Sequence, residues 1–360
     1  MTPCIWDSDT LDTELRGLPD SFDLVVGRWH RHSDTYYQLR ITKLGEKQEL
    51  TLVEFDDLAV AYERLKQRDK AIEVMARKAK VLAKTPDKEH QYRYHANLGT
   101  FYAHSGKFDA ALRELRTAVE INPEAHFGRE IFQIELIEYV AAARKDPEIW
   151  QRRSFLRDAR YRMPMYVGAG GLKSGEYDKE QHNRDWNGNR ALDWDAAHKA
   201  VGGMLRYGGL EGPELYRALG ELYLAKEHLN LAWWSFGRAA ERGHPAADTM
   251  RAVQRSIEKH WDEARQHNKT GHVNPTQDDY DEKRAEADRW LASFQEAEAA
   301  AIERGEDVSS EKTLQSLLDI ANGKVPSTPK QAAMSWRSIT LLSAACLFLI
   351  VLLMRVRSSR

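Results

Sequence analysis

The chain has 360 residues, 42% of them hydrophobic and 30% charged, with a formal net charge of -2. That length and apolar content support one large or two modest domains, and the near-neutral balance gives no electrostatic reason to seek nucleic acid or acidic lipid. The two cysteines, Cys4 and Cys346, are too few for a disulfide framework or a thiolate metal site.

The first residues, Met-Thr-Pro-Cys-Ile-Trp-Asp-Ser-Asp, contain no basic region followed by an apolar run, so no secretory signal is expected. A start site further upstream would reverse that expectation. Residues 1–50 carry Trp6, Trp29, Tyr36 and Tyr37 among irregularly spaced Leu11, Leu15, Phe22 and Leu24, and read as an N-terminal cap of short helices. His30, His32 and Asp34 would share a side only on a strand, whereas this segment reads as helical. A packing role is therefore expected in place of a metal site. Cys4 reads as a small apolar residue of the same cap.

Within residues 51–145 one pattern occurs twice. From Leu52 to Thr85 it consists of Phe55, Leu58-Ala59, Tyr62, Ala71 and Ala79. From Tyr92 to Ala125 it consists of His95, Leu98-Gly99, Tyr102, Ala111, Leu115, Ala118 and Pro123, and nine residues separate the Tyr from the first Ala in both. Small residues at 99 and 111 let two antiparallel helices approach, while Tyr102 and Leu115 fill the space between them. Ser105-Gly106-Lys107 turns the chain and Asn122-Pro123 ends the second helix. Residues 128–144 read as an amphipathic helix that covers the open end of the pair.

From 146 to 190 the periodicity fails. Arg152, Arg153, Arg157, Arg160 and Arg162 make a basic stretch, followed by Gly168-Ala-Gly-Gly-Leu172-Lys173-Ser174. Leu172 intervenes where a phosphate-cradling loop has Gly before its Lys, and no apolar strand leads in, so an irregular Gly/Arg-rich connection is expected. The block 191–262 opens with a helix from Trp194 to Arg206. It then repeats the pattern with Tyr216, Leu219-Gly220, Tyr223, Ala232, Phe236 and Ala239, and adds an amphipathic helix from Pro245 to Trp261.

Residues 263–335 are a charged helical and linker region, in which Tyr280 to Arg304 reads as a helix that folds back on the chain or pairs with a partner. Thr313 to Ala321 makes a shorter helix, and a linker follows from Gly323. Ser338 to Met354 carries no charge, and about 17 residues at about 1.5 Å each cover about 25 Å, the short end of what crosses a bilayer. With Trp336 before it and Arg355 and Arg357 after it, the stretch 337–355 reads as a single transmembrane helix and 356–360 as a basic tail. Basic residues balance across it, so orientation rests on the missing export signal: a tail anchor, with the bulk of the chain in the cytoplasm.

The recurring pattern resembles the tetratricopeptide repeat, W-x2-L-G-x2-Y, then A-x3-F, then P, over about 34 residues. The fold class expected is all-α, a helical-hairpin solenoid of this type followed by one C-terminal transmembrane helix. The resemblance implies capture of a protein or peptide partner in a groove lined by the first helix of each hairpin. By register the groove residues are Asp56, Val60, Glu63 and Arg64, then Arg93, Ala96, Asn97, Thr100 and His104.

Family clamps for C-terminal carboxylates need a Lys and an Asn where this chain has Asp56 and Val60. Asp56 would repel a carboxylate, although Arg93 and Asn97 would suit the second half of such a clamp. No paired carboxylates, Ser/His/Asp set or H-E-x-x-H motif is present at the required spacing. No catalytic residue, metal, cofactor or small-molecule substrate is expected. The function expected is a membrane-tethered, non-catalytic adaptor. The alternatives are a structural subunit of a membrane complex, and an enzyme built from residues distant in sequence around the 146–190 connection.

Overall fold

The computed structural model describes residues 5–10, 18–123, 128–156, 193–208, 211–267 and 274–324, and every regular element among them is helical. In chain order these are α1 (Ser21–Val26), α2 (Asp34–Gly45), α3 (Leu52–Arg64), α4 (Arg68–Leu82), α5 (Lys88–His104), α6 (Phe108–Ile121) and α7 (Arg129–Lys145). Then come α8 (Ile149–Arg152), α9 (Trp194–Tyr207), α10 (Pro213–Ala225), α11 (Leu229–Glu241), α12 (Ala247–His267), α13 (Gln277–Glu303) and α14 (Glu311–Ala321). Local chemistry starts them. Thr51 and Glu54 form a reciprocal capping box on α3, Asp87 and Asp193 cap α5 and α9 through their carboxylates, and Pro213 opens α10 where its missing N–H costs nothing.

The three occurrences of the pattern are the hairpins α3–α4, α5–α6 and α10–α11, and they turn in the same way. The residue four beyond the pattern's Tyr is left-handed in each: Lys66 at φ +60°, Gly106 at +75° and Glu227 at +60°. The next amide donates back to the Tyr carbonyl, Gln67 to Tyr62, Lys107 to Tyr102 and His228 to Tyr223, at 2.9 Å in all three. This bond closes a helix C-terminus and sets the constant interval read in the sequence. Only Gly106 adopts the conformation without a side-chain clash.

The register so set brings small residues against large ones. A Cβ on Gly99 would lie 2.7 Å from Leu115 Cγ and 3.1 Å from the Ala111 carbonyl oxygen, and one on Gly220 would lie 2.9 Å from Phe236 Cε1. α7 packs on both α6 and α9, and α9 packs on α10, so the helices before and after the 146–190 connection share one compact unit, Met1–Gln295. Its main core joins Leu24, Val25, Val26 and Trp29 to Phe132 and Leu136 of α7 and to Leu215, Leu219, Trp233 and Phe236 of the last hairpin. Each such side chain contributes roughly 1.5–3 kcal/mol by burial, against about 0–1 kcal/mol for a surface ion pair, so the core decides the fold.

The first half of α13 belongs to the same unit. Tyr280 stacks on Trp234 with centroids 5.2 Å apart, and Arg284 donates to the Val26 carbonyl. Of the two expectations for residues 280–304, this half folds back on its own chain.

The second unit begins at Glu296. Gly305, at φ +75°, ends α13, and the Ser310 hydroxyl accepts the Thr313 amide at 3.2 Å to cap α14. Cys4, most of the 146–190 connection, the linker beyond Lys324, the 337–355 stretch with Cys346 and the 356–360 tail lie outside the described residues. Among the described residues no helix is long and apolar enough to cross a membrane.

Two substitutions check the hairpin geometry by urea unfolding. Gly99→Leu is expected to lower stability by about 3 kcal/mol or more, since Leu115 and the α6 backbone leave no room. Lys66→Gly is expected to raise it by about 0.5–1 kcal/mol, because relief of the left-handed strain exceeds the added backbone entropy.

Candidate functional site

The expected groove holds part of the chain itself. Residues 5–10 lie against α3 and α5, and Asn97 grips the Trp6 backbone with both amide atoms. Its Oδ1 accepts from Trp6 N at 2.7 Å and its Nδ2 donates to Trp6 O at 2.9 Å. One hairpin earlier, Asp57 accepts from Ser8 N at 2.8 Å and from Ser8 Oγ at 2.9 Å. Asp57 and Asn97 each stand two residues before the small residue of the pattern, Ala59 or Gly99, so equivalent positions of successive hairpins hold the segment.

Side chains complete the fit. The Trp6 ring meets Tyr92 edge-on at 5.5 Å, lies under the Arg93 guanidinium at 5.8 Å, and is buried with Ala96 and Ala118. Ile5 packs with Phe55, Leu58 and Leu98. Arg40 of α2 bonds Asp7 at 2.9 Å and Asp9 at 2.6 Å. Burial, with Asp7 nearby and against the pull of Arg40, raises the Asp57 carboxyl to about 6. Against the cost of burial, Arg40 and then Arg64 keep Asp7 below the usual carboxylate range.

The residues expected to line a groove are engaged within the chain. Asp56 is not an open negative charge: both of its oxygens accept from the fully buried Lys78 Nζ at 2.6 Å, and Asn97 Nδ2 also donates to it at 3.2 Å. Burial lowers the Lys78 pKa while Asp56 opposes the shift. Repulsion of a carboxylate by Asp56 is therefore corrected, because the charge is spent on holding α3 to α4.

Glu63 is buried and bonds His104 Nδ1 at 2.7 Å and Arg68 at 3.2 Å. Desolvation lowers the His104 pKa despite that carboxylate. Thr100 is buried, donating to the Ala96 carbonyl at 2.9 Å and accepting from Gln133 of α7 at 3.1 Å. Val60 and Ala96 are buried core residues. Arg93 bonds Glu89 at 2.9 Å, and Arg64 donates to the Tyr207 carbonyl at 3.0 Å.

The last hairpin is covered in a parallel way by residues 150–156. Arg217 of α10 donates to the Trp150 carbonyl at 2.6 Å and pairs with Glu221 at 3.0 Å, and Glu221 accepts from Ser154 Oγ at 2.5 Å. Phe155 and Leu156 are buried beside them.

Asp57, Lys78, Arg40, Arg217 and Glu221 escape the sequence reading. The repeat register could have found Asp57, which aligns with Asn97. No local signal marks the others, whose partners lie up to 67 residues away. Among the described residues no three His, Cys, Asp or Glu side chains converge as metal ligands. His32 stacks on Tyr36 at 3.9 Å instead.

Residues 92–124, which carry Asn97 and Gly99, match the tetratricopeptide repeat family. No curated protein and no solved structure matches the chain. The described residues thus form an all-α fold that contains a tetratricopeptide repeat, a module whose role in other proteins is protein–protein interaction.

His244, against Trp150 at 5.8 Å, supplies a pH test. Its Nδ1 accepts the Ala246 amide at 2.9 Å, its Nε2 is buried without a partner, and desolvation, then Arg217, lowers its pKa from 6.5 to about 3. Below pH 6.5 the unfolded chain takes up a proton that the folded chain refuses, so this contribution to stability is present above 6.5 and falls progressively as pH drops toward 3. Between about pH 6 and pH 4.5 the wild type is expected to lose about 2 kcal/mol more than His244→Asn, measured by urea unfolding at both pH values.

Proposed function

We propose that the chain is a membrane-tethered, non-catalytic adaptor that binds a protein or peptide partner on the face of α3 and α5 where residues 5–10 sit. What carries this reading is the Asn97 clamp on the Trp6 backbone, repeated one hairpin earlier by Asp57 on Ser8. Contacts of this kind are directed at backbone amides, so another segment can form them, with Tyr92 and Arg93 offering a place for an aromatic ring. The bound segment then acts as a resident competitor. A tethered segment works at an effective concentration in the millimolar range, so a partner must bind strongly or arrive when the segment is released. Tethering rests on the uncharged run Ser338 to Met354 with its flanking arginines.

The test uses detergent-solubilised full chain and a variant lacking residues 1–10, each titrated by fluorescence anisotropy with a labelled peptide of residues 5–10. The truncated variant is expected to bind, the full chain to bind at least about tenfold more weakly, and Asn97→Ala in the truncated background to lose binding. Absence of binding by a truncated variant of unchanged helix content would overturn the peptide reading. Deletion of 337–360 is expected to release the chain from alkali-washed membranes, and retention would remove the tether.

A further inference from the structure

A second cleft, of about 330 Å³, is bordered by Asp7, Asp9 and Thr10 on one side and by the ends of α3 and α9 on the other. Its two walls differ in charge economy. On the first, the acids are already held: Asp7 and Asp9 share Arg40, and Asp34 sits in the first turn of α2, where a helix favours an anion. Glu211 bonds Arg31 and also Arg238, the latter at 2.7 Å. Against the cost of burial, Arg31, Arg238 and Arg242 hold its carboxyl at about 2.

The second wall carries cations without such partners. Arg64 Nη2 donates to the Tyr207 carbonyl at 3.0 Å, and Arg64 Nε is buried with no acceptor among the described residues. Arg206 Nη1 donates to the His30 carbonyl at 2.9 Å, and its Nη2 lies 3.2 Å from His30 Nε2. Lys66 lines the same wall and is exposed. Among the described residues none of the three is paired with a carboxylate within bonding distance; Asp7 is influenced by Arg64 through space but bonded to Arg40. Burial, with the neighbouring Arg31 and Arg64 charges and against Tyr207, brings the Arg206 guanidinium down to about 10, as expected where countercharge is short.

We propose that this cleft binds the phosphate group of a small phosphomonoester, gripped between the Arg64 and Arg206 guanidinium groups with Lys66 completing the charge. Two guanidinium forks and an ammonium offer more N–H donors than one carboxylate can accept. A phosphate monoester brings three acceptor oxygens and close to two negative charges at neutral pH. The volume leaves room for more than the phosphate itself, so an ester fits the cleft better than the free ion. Because Asp7, Asp9 and Thr10 form one wall, the site exists with residues 5–10 held in place and does not require them to leave.

The test is thermal unfolding of the full chain in detergent, followed by circular dichroism, in about 5 mM glycerol 3-phosphate, about 5 mM inorganic phosphate, or sodium chloride at matched ionic strength. Glycerol 3-phosphate is expected to raise Tm by about 2 °C or more over chloride, and by at least as much as inorganic phosphate. Arg64→Gln with Arg206→Gln should lose the increment. Arg206→Lys keeps the charge but not the fork, and should weaken binding about tenfold or more in a titration of Tm against ester concentration. No increment with the ester in the wild type, an equal increment in the double variant, or an increment with the free ion alone would each overturn the proposal. Should the double variant fail to fold, broadening of the ester's phosphorus-31 resonance by the wild-type chain, reversed by inorganic phosphate, decides the matter, and an unbroadened line overturns it.

Discussion

The constraint on which the described structure depends is the left-handed residue at the tip of each hairpin. It fixes how far the second helix is wound back along the first, and so which side chains meet. Four residues after Tyr62, Tyr102 and Tyr223 the backbone takes the same turn and the same 2.9 Å bond closes it. Glycine is the favoured residue there, yet Lys66 and Glu227 hold the position in two of three hairpins. Local preference is overridden because a change of turn would slide the helices and drive Phe236 into the α10 backbone at Gly220, with no space to receive it. A constant turn also puts Asp57 and Asn97 at equivalent positions, and from those positions they hold residues two apart in one segment.

Both covered faces are built from polar groups paired inside the chain. Asp56 with Lys78, Glu63 with His104, and Glu221 with Arg217 and Ser154 are all buried. Buried ion pairs of this kind gain little over apolar packing of equal volume, because desolvation consumes most of the attraction. Their effect is directional: each bond is satisfied only in one arrangement of helices, and loss of one partner strands the other. Such a scaffold presents a rigid, hydrogen-bonding face to whatever segment lies on it. The same stiffness keeps Arg64 and Arg206 on one cleft although like charges repel, a cost that the surrounding core sustains.

The helices and their hairpin pairing were legible in the residues. Gly99, Ala111 and Leu115 at fixed offsets, and the constant nine-residue interval, are local or repeated features, and periodicity transmits them. The helical register of Asn97 and Arg93 was legible for the same reason, and both side chains meet Trp6. That Trp6 would occupy the groove was not legible, since Asn97 and Trp6 are 91 residues apart and any aromatic near a terminus reads alike. The division at the 146–190 connection likewise described the composition. It did not anticipate that α7 and α9 pack together, because helix-to-helix contact across a long connection leaves no periodic trace.

By itself, then, the sequence determined where helices start and stop, which of them pair, and which positions must stay small, because caps, turns and side-chain spacing act within a few residues. Only the tertiary structure decided which charges are spent inside and which remain available. Asp56 and Arg64 both look like groove residues in the sequence, yet one is neutralised by Lys78 from the neighbouring helix and the other faces a cleft closed by Tyr207 from a helix more than 140 residues on. The fate of a charge depends on what stands opposite it in space, and that is set by packing over distances no local pattern encodes.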